Sequence, residues 1–245
     1  MKRIALLAIF SGLLMTSCVK KSTPVPDNSD LTIHFSSVAD SKPVVNGALN
    51  YTNAAGNKYS ITLLKYYVTN VVLVKEDNTE YKLNNYDLID AFDPGPFSTV
   101  EASGVPNGHY NTIRFYLGVD KSRNHTGAQD GDLDPMYNMI WTWSTGYLFM
   151  KHEGNFINAA GDTTTMQYHL GTDSALSIIE IPISLDLEGS AKKLKLQFDL
   201  NKMYNSPVIN FNDGAIHHST LASDAPWIAA MVANSGDAFT YLGQE

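Results

Sequence analysis

The stretch IEIPISLDL, residues 179–187, followed by LKLQFDL, residues 194–200, decides the fold class. In both segments an apolar residue occupies every second position, which is the period of a β-strand with one buried face. The segments LTIHF at 31–35 and NTIRFYLGV at 111–119 repeat this alternation. Pro182 cannot donate a hydrogen bond to a neighbouring strand, so its strand is predicted to lie at a sheet edge or to contain a bulge.

The segments between these strands favour an antiparallel arrangement. Turn residues at 77–78, 94–95, 106–108 and 188–190 separate the strands at short spacing, and no amphipathic helix of useful length lies between them. A short C-terminal helix is predicted at 225–234, where Asp224 can cap and Pro226 suits the first turn. The sequence therefore predicts an all-β fold, an antiparallel β-sandwich with a short C-terminal helix and one long aromatic and acidic insertion at 120–161.

The N-terminus predicts export. Lys2 and Arg3 precede an apolar run at 4–15, and Thr16 and Ser17 precede the single cysteine, Cys18. This is a secretory signal, and its end resembles the lipobox of bacterial lipoproteins, in which Cys18 is lipidated and becomes the first mature residue. We expect a signal peptide at 1–18, a flexible tether at 19–30 and a single domain at 31–245, anchored to an envelope membrane by lipid.

Charge and motifs exclude several function classes. The 245 residues include 25 acidic and 17 basic side chains, a formal net charge of −8, which argues against binding nucleic acid. The sequence has no GxSxG or HExxH motif, no phosphate-binding glycine loop and no cysteine other than Cys18. We therefore expect a binding protein rather than an enzyme.

The predicted insertion carries the first candidate site. Asp130, Asp132 and Asp134 have the spacing that opens a calcium loop, but Pro135 stands where that loop needs glycine. Another hard-cation site and a solvated acidic turn remain open. Trp141 and Trp143 would share one face of an extended segment, either covering the core or forming an oxidisable site or an aromatic platform for a ligand.

Several ordered blocks resemble MbnP-like domains, a family named for a secreted copper-binding protein encoded beside methanobactin genes. The resemblance implies a β-sandwich in the periplasm or at the surface of a Gram-negative bacterium. It also implies a mononuclear copper site that uses histidine and, in some members, a tryptophan oxidised by a di-haem peroxidase partner. The blocks are KYYVTNVVL at 65–73, GVD at 118–120, Asn124, GAQ at 127–129, LDP at 133–135, WTWSTGY at 141–147, Lys151, EG at 153–154 and HLG at 169–171.

The resemblance selects the histidines to consider as ligands. His169 lies in the His-Leu-Gly block, and His125 follows Asn124 where one branch of the family often has histidine. That branch also has four cysteines, which the mature chain lacks, and a histidine where this chain has Thr69. We predict copper ligation by His169 and His125, with Asp130, Asp132, Asp134 or a backbone oxygen completing the shell.

Two further points follow from the chemistry of the candidate ligands. His218 is the third ligand candidate. His217 and His218 cannot both point into one site without a turn between them. Without a thiolate, copper or zinc would be held by nitrogen and oxygen, and calcium by oxygen alone.

The first functional hypothesis is an envelope protein that captures or transfers copper. The alternative is a module that binds an envelope ligand or partner protein through Trp141 and Trp143.

Overall fold

A computed structural model describes residues 25–93, 95–142 and 145–245. The predicted signal peptide, Cys18 and Trp143 lie outside the described residues. The described strands are β1 (Asn28–Ala39), β2 (Lys42–Pro43), β3 (Tyr51–Thr52), β4 (Lys58–Val74), β5 (Glu80–Lys82), β6 (Tyr86–Asp90), β7 (Thr99–Pro106), β8 (Gly108–Leu117), β9 (Ile140–Thr142), β10 (Gly146–Ile157), β11 (Thr163–Gly171), β12 (Ser177–Leu187), β13 (Lys192–Asp199), β14 (Ile216–His218) and β15 (Phe239–Gln244). The α-helices are α1 (Lys121–Asn124) and α2 (Ala225–Ser235). Short 3-10 turns cover Pro96–Ser98, Gly131–Leu133, Pro135–Tyr137, Asp173–Ala175, Leu200–Tyr204, Phe211–Asp213 and Ala222–Asp224.

The strands form two sheets, which confirms the predicted all-β sandwich. The smaller sheet has the order β15-β13-β1-β2, with β7 also paired to β1. The larger sheet has the order β12-β8-β4-β10-β11-β14, with β3, β5 and β6 on β4 and β9 on β10. Two pairings, β1 with β13 and β11 with β14, are parallel, so the sheets are mixed rather than purely antiparallel. In each parallel pair the two strands are far apart in the chain, with residues 40–191 between β1 and β13 and residues 172–215 between β11 and β14, as parallel neighbours require.

The alternating segments place their apolar residues in the core between the sheets. Ile179, Leu185 and Leu194 are fully or almost fully buried, and the intervening polar residues face outward. The strand that contains Pro182 lies at the edge of the larger sheet, and its pairing shifts register between Pro182 and Leu185. The edge position and the irregularity predicted from Pro182 are both confirmed.

The predicted insertion ends earlier than expected. Residues 120–142 form the short helix α1, loops, 3-10 turns and the short strand β9, but β10 runs between β4 and β11 in the middle of the larger sheet. The first five residues of β10 are buried on both faces, so this strand lacks the alternation that marks β12 and β13. Gly154 permits the close approach of β4, because a Cβ there would lie 1.9 Å from the carbonyl oxygen of Ser60.

The ends of the domain also refine the prediction. Strand β1 begins at Asn28, within the segment expected to be tether. Helix α2 confirms the predicted C-terminal helix and has Pro226 in its first turn, but the Asp224 side chain makes no capping hydrogen bond to it. Within the part of the chain that the structure describes, no helix is both long and apolar enough to cross a membrane.

Candidate functional site

Strands β10, β11 and β14 together carry four histidines at one side of the larger sheet, and we call this region the histidine edge. The register pairs His152 with Tyr168 and Tyr168 with His217. One position along, it pairs Lys151 with His169 and His169 with His218. Successive side chains of a strand point to opposite faces, so the first row faces the core and the second row faces outward. His217 and His218 therefore occupy different faces, as their adjacency predicts.

Ser219 fixes strand β14 against β11. Its backbone N–H donates to the carbonyl oxygen of His169 at 3.1 Å, and its hydroxyl accepts from the N–H of Gly171 at 2.9 Å. The Asp224 carboxylate holds β14 from the other side, since it accepts from the backbone N–H of His218 at 2.7 Å and contacts Nδ1 of His217 at 3.2 Å. The histidine pair on the outer face is thus positioned by backbone contacts.

On the outer face the rings of His169 and His218 stack. Their centroids are 4.7 Å apart and the planes differ by 4°. Nε2 of His169 lies 2.8 Å from Oε1 of Glu153, which also lies 3.5 Å from the Lys151 ammonium group. Burial lowers the pKa of His169, and the hydrogen bond to Glu153 only partly opposes this effect. The ring of His169 is therefore held in its neutral, ligand-competent form at neutral pH.

The two rings offer different nitrogens to a ligand. Nε2 of His169 is engaged by Glu153, which leaves Nδ1. Nε2 of His218 is buried and has no hydrogen-bond partner among the described residues. A ring N–H directed at a carboxylate and an unpaired nitrogen beside it are features of imidazoles that bind metal ions. Because lone pairs lie in the ring planes, stacked rings cannot both address one ion until one ring turns about its Cβ–Cγ bond.

On the inner face the histidines are enclosed by aromatic side chains. His217 stacks on Trp227 with centroids 4.8 Å apart and an interplanar angle of 7°, and both rings contact Tyr168. His152 is completely buried, and its Nδ1 lies 2.6 Å from the hydroxyl of Tyr204. Burial lowers the pKa of His152 to about 3, so this ring is neutral at neutral pH.

His125, predicted to pair with His169, lies just after helix α1 and contacts a different carboxylate. Its Nε2 is 2.9 Å from Oδ1 of Asp173, which also accepts from the side-chain amide of Asn124 at 2.9 Å. Asn124 in turn accepts from the backbone N–H of Tyr147 at 2.8 Å. The hydrogen bonds from Asn124 and His125 lower the pKa of Asp173 against the opposing effect of burial. The structure thus brings His169 together with His218 and His125 together with Asp173, and the pairing of His169 with His125 stays a prediction.

Two of the three aspartates of the insertion accept hydrogen bonds from backbone N–H groups. Asp132 accepts from the N–H of Leu88 at 2.8 Å, and burial raises its pKa. Asp134 accepts from the N–H of Met136 at 2.8 Å and caps the turn that follows, whereas Asp130 precedes a turn without capping it through its side chain. Within the described ranges, no group of three or more His, Cys, Asp or Glu side chains is arranged to hold a metal ion. A cation site formed by these aspartates stays a prediction.

Trp141 is packed against the sheet. It is half-buried, and a Cβ at Gly171 would lie 2.7 Å from Cζ3 of its indole. Gly171 of the His-Leu-Gly block therefore makes room for Trp141 of the WTWSTGY block. This supports the role of Trp141 as a cover of the core rather than as a free platform.

Sequence reasoning missed Glu153, Asp224 and Trp227 as neighbours of the histidines. Glu153 carried a local signal, because its position two residues after Lys151 in a strand places both on one face. No local signal pointed to Asp224 or Trp227, since both reach the histidine edge through the parallel pairing of β14 with β11.

Comparison with known proteins adds a family. The MbnP family model matches residues 28–220. The solved structure of MbnP from Methylosinus trichosporium is similar, with a TM-score of 0.55 and 17% sequence identity over 86% of this chain and 97% of that one. At that identity the likeness shows the fold alone. No curated protein matches this sequence significantly.

Proposed function

Because this chain belongs to the MbnP family, we propose that it is a copper-binding protein of the bacterial envelope that captures the metal or passes it on. The observation that carries the proposal is the stacked pair of His169 and His218, with Glu153 on one ring and an unpaired buried nitrogen on the other. The family resemblance supplies copper as the metal. Zinc is the second metal that this chemistry would accept.

The donor set fits copper held by imidazole. His169 would bind through Nδ1, while Glu153 accepts from its Nε2–H and fixes the orientation of the ring. His218 would bind through Nε2, which has no hydrogen bond among the described residues to lose. An unpaired buried polar atom costs about 1–3 kcal/mol, so a ligand for His218 would remove a cost that the free protein bears.

The proposed function includes a membrane anchor and a partner protein. Cys18 would anchor the domain to a Gram-negative membrane, facing the periplasm or the cell surface, with the residues before β1 as spacer. A di-haem peroxidase-type protein is the partner that the family resemblance implies. We propose no reaction catalysed by the chain itself, because the outer face of the histidine edge offers two imidazoles and an orienting carboxylate, which are the groups that a metal-binding site needs.

Copper titration of the full chain tests the proposal. We expect one equivalent bound per chain, measured by elemental analysis after gel filtration and by a rise in melting temperature. A free ligand concentration of about one hundred times Kd stabilises the folded protein by about 2.7 kcal/mol, which is easily measured. His169→Ala and His218→Ala should each abolish the tight equivalent.

Two further variants locate the site. His109→Ala is the matched control, because His109 is an exposed histidine paired with Asp186 on another part of the sheet. His125→Ala distinguishes the pair seen in the structure from the pair of His169 with His125. Loss of copper in His125→Ala but not in His218→Ala would move the site to His125. Equal binding by the wild type and by His169→Ala would refute the copper proposal and favour the envelope module.

A further inference from the structure

The inner face of the histidine edge contains a buried phenol–imidazole pair that copper binding does not use. Tyr204 lies in the 3-10 turn Leu200–Tyr204, and its hydroxyl is 2.6 Å from Nδ1 of His152. A phenol is a stronger acid than a neutral imidazole, so we assign the hydroxyl as the donor and Nδ1 as the acceptor. Both side chains have no exposed surface. Nε2 of His152 is buried and has no partner among the described residues. The pair is therefore shielded from bulk solvent.

Burial keeps both partners uncharged. It lowers the pKa of His152 to about 3 and raises the pKa of Tyr204 well above its ordinary value. Proton transfer from the neutral phenol to the imidazole would create two buried charges, which is unfavourable. Removing an electron reverses this preference, because a phenol that has lost an electron is a very strong acid and imidazole is a base at hydrogen-bond distance.

The neighbouring tyrosines lack such a base. Tyr59 and Tyr168 are also fully buried and contact the ring of His152, with centroids 6.0 and 6.4 Å away. Their hydroxyls donate to amide oxygens, that of Tyr59 to Asn201 at 2.6 Å and that of Tyr168 to the carbonyl of Gly214 at 2.7 Å. An amide oxygen is too weak a base to keep a phenol proton. Of these three tyrosines, only Tyr204 can release its proton within the fold and recover it.

A continuous row of aromatic rings joins this pair to the edge of the sheet. The centroid of Tyr204 is 6.0 Å from that of Tyr168, which is 5.5 Å from Trp227. Trp227 stacks on His217 at 4.8 Å, and the side chain of His217 is 19% exposed. Rings in contact transfer electrons readily, so an oxidant at the surface beside His217 has a route to Tyr204.

We propose that Tyr204 and His152 form a one-electron redox site that is reached from the histidine edge. A strong one-electron oxidant of the outer-sphere metal-complex class takes one electron through Trp227 and Tyr168. The O–H bond of Tyr204 breaks, an N–H bond forms on Nδ1 of His152, and the products are a neutral tyrosyl radical and an imidazolium. Return of one electron from the reduced form of that metal complex reverses both changes. The step needs no bound metal and does not rest on the copper proposal.

The test uses the full chain, stripped of metal by a chelator, and photogenerated ruthenium(III) tris-bipyridine as oxidant. Samples frozen after illumination are examined by electron paramagnetic resonance. We expect a tyrosyl signal with a hyperfine coupling from an isotope-labelled histidine nitrogen. That coupled signal should disappear in Tyr204→Phe. It should also disappear in His152→Asn, which keeps a hydrogen-bond acceptor for Tyr204 but removes the base.

Tyr59→Phe is the matched control, because it removes a buried hydroxyl that also contacts His152 but donates to an amide. It should retain the coupled signal. The proposal is overturned if the wild type gives no tyrosyl signal, if its signal lacks histidine coupling, or if that coupling persists in Tyr204→Phe. The labelled wild-type measurement decides the question even where a variant does not fold.

Discussion

The outer and inner faces of the histidine edge carry similar side chains in different surroundings. On the outer face, His169 and His218 lie beside Glu153 and Lys151, which keep some contact with solvent. On the inner face, His152 is sealed among tyrosines and has Tyr204 as its hydrogen-bond partner. The faces differ because the strand alternates its side chains and only the inner face is covered, by the 3-10 turns that carry Tyr204 and Phe211 and by helix α2. Residue type alone therefore does not assign a role to a histidine here; the strand register does.

Truncating one side chain on each face should give the largest difference between the faces, measured as loss of unfolding free energy. Tyr204→Ala empties a fully buried aromatic position and leaves Nδ1 of His152 without its donor, so we expect the free energy of unfolding to fall by about 3–5 kcal/mol. His218→Ala on the outer face should cost about 1 kcal/mol or less. Urea unfolding of both variants measures the difference. Similar losses would mean that the outer face is as tightly packed as the core.

Much of the fold was predictable because it depends on local periodicity. The strands around Ile113, Ile181 and Leu196 alternate cleanly, and the structure buries their apolar faces. Strand β10 could not be recognised, because its first half is buried on both faces and Gly146 and Gly154 interrupt its pattern.

The candidate site was predictable only in part. His169 and His218 were recognised as candidates one by one, but their contact depends on the parallel pairing of β14 with β11, across a connection that carries no periodic signal. The predicted capping role of Asp224 was wrong for a related reason. Its carboxylate binds the backbone N–H of His218 and contacts His217, both brought close by that same strand.

The next prediction concerns the outer face and its orienting carboxylate. Glu153→Gln retains an oxygen that can accept from Nε2 of His169 but removes the negative charge. Carboxylates that orient a ligating imidazole typically contribute tenfold to a hundredfold in metal affinity. We therefore expect copper to bind more weakly by about 1.4–2.7 kcal/mol, measured by competition with a chelator. Glu188→Gln, at an exposed turn, is the control. Unchanged affinity in Glu153→Gln would show that His169 binds metal without this carboxylate, or does not bind it.

The smallest effect concerns the inner face and appears as a dependence of stability on pH. The pKa of His152 is about 3 in the folded protein and about 6.5 in the unfolded chain. Between these values the unfolded chain binds a proton that the folded protein does not, so the stability of the wild type falls as the pH falls through this window. His152→Asn removes this difference while leaving the titrating groups of the outer face in place. Between about pH 6 and pH 5 the wild type should lose about 1 kcal/mol more than the variant, as measured by urea unfolding at each pH. Equal losses of stability in the wild type and the variant would show that His152 accepts a proton in the folded state. The inner face would then be more accessible to solvent than the packing of its tyrosines indicates.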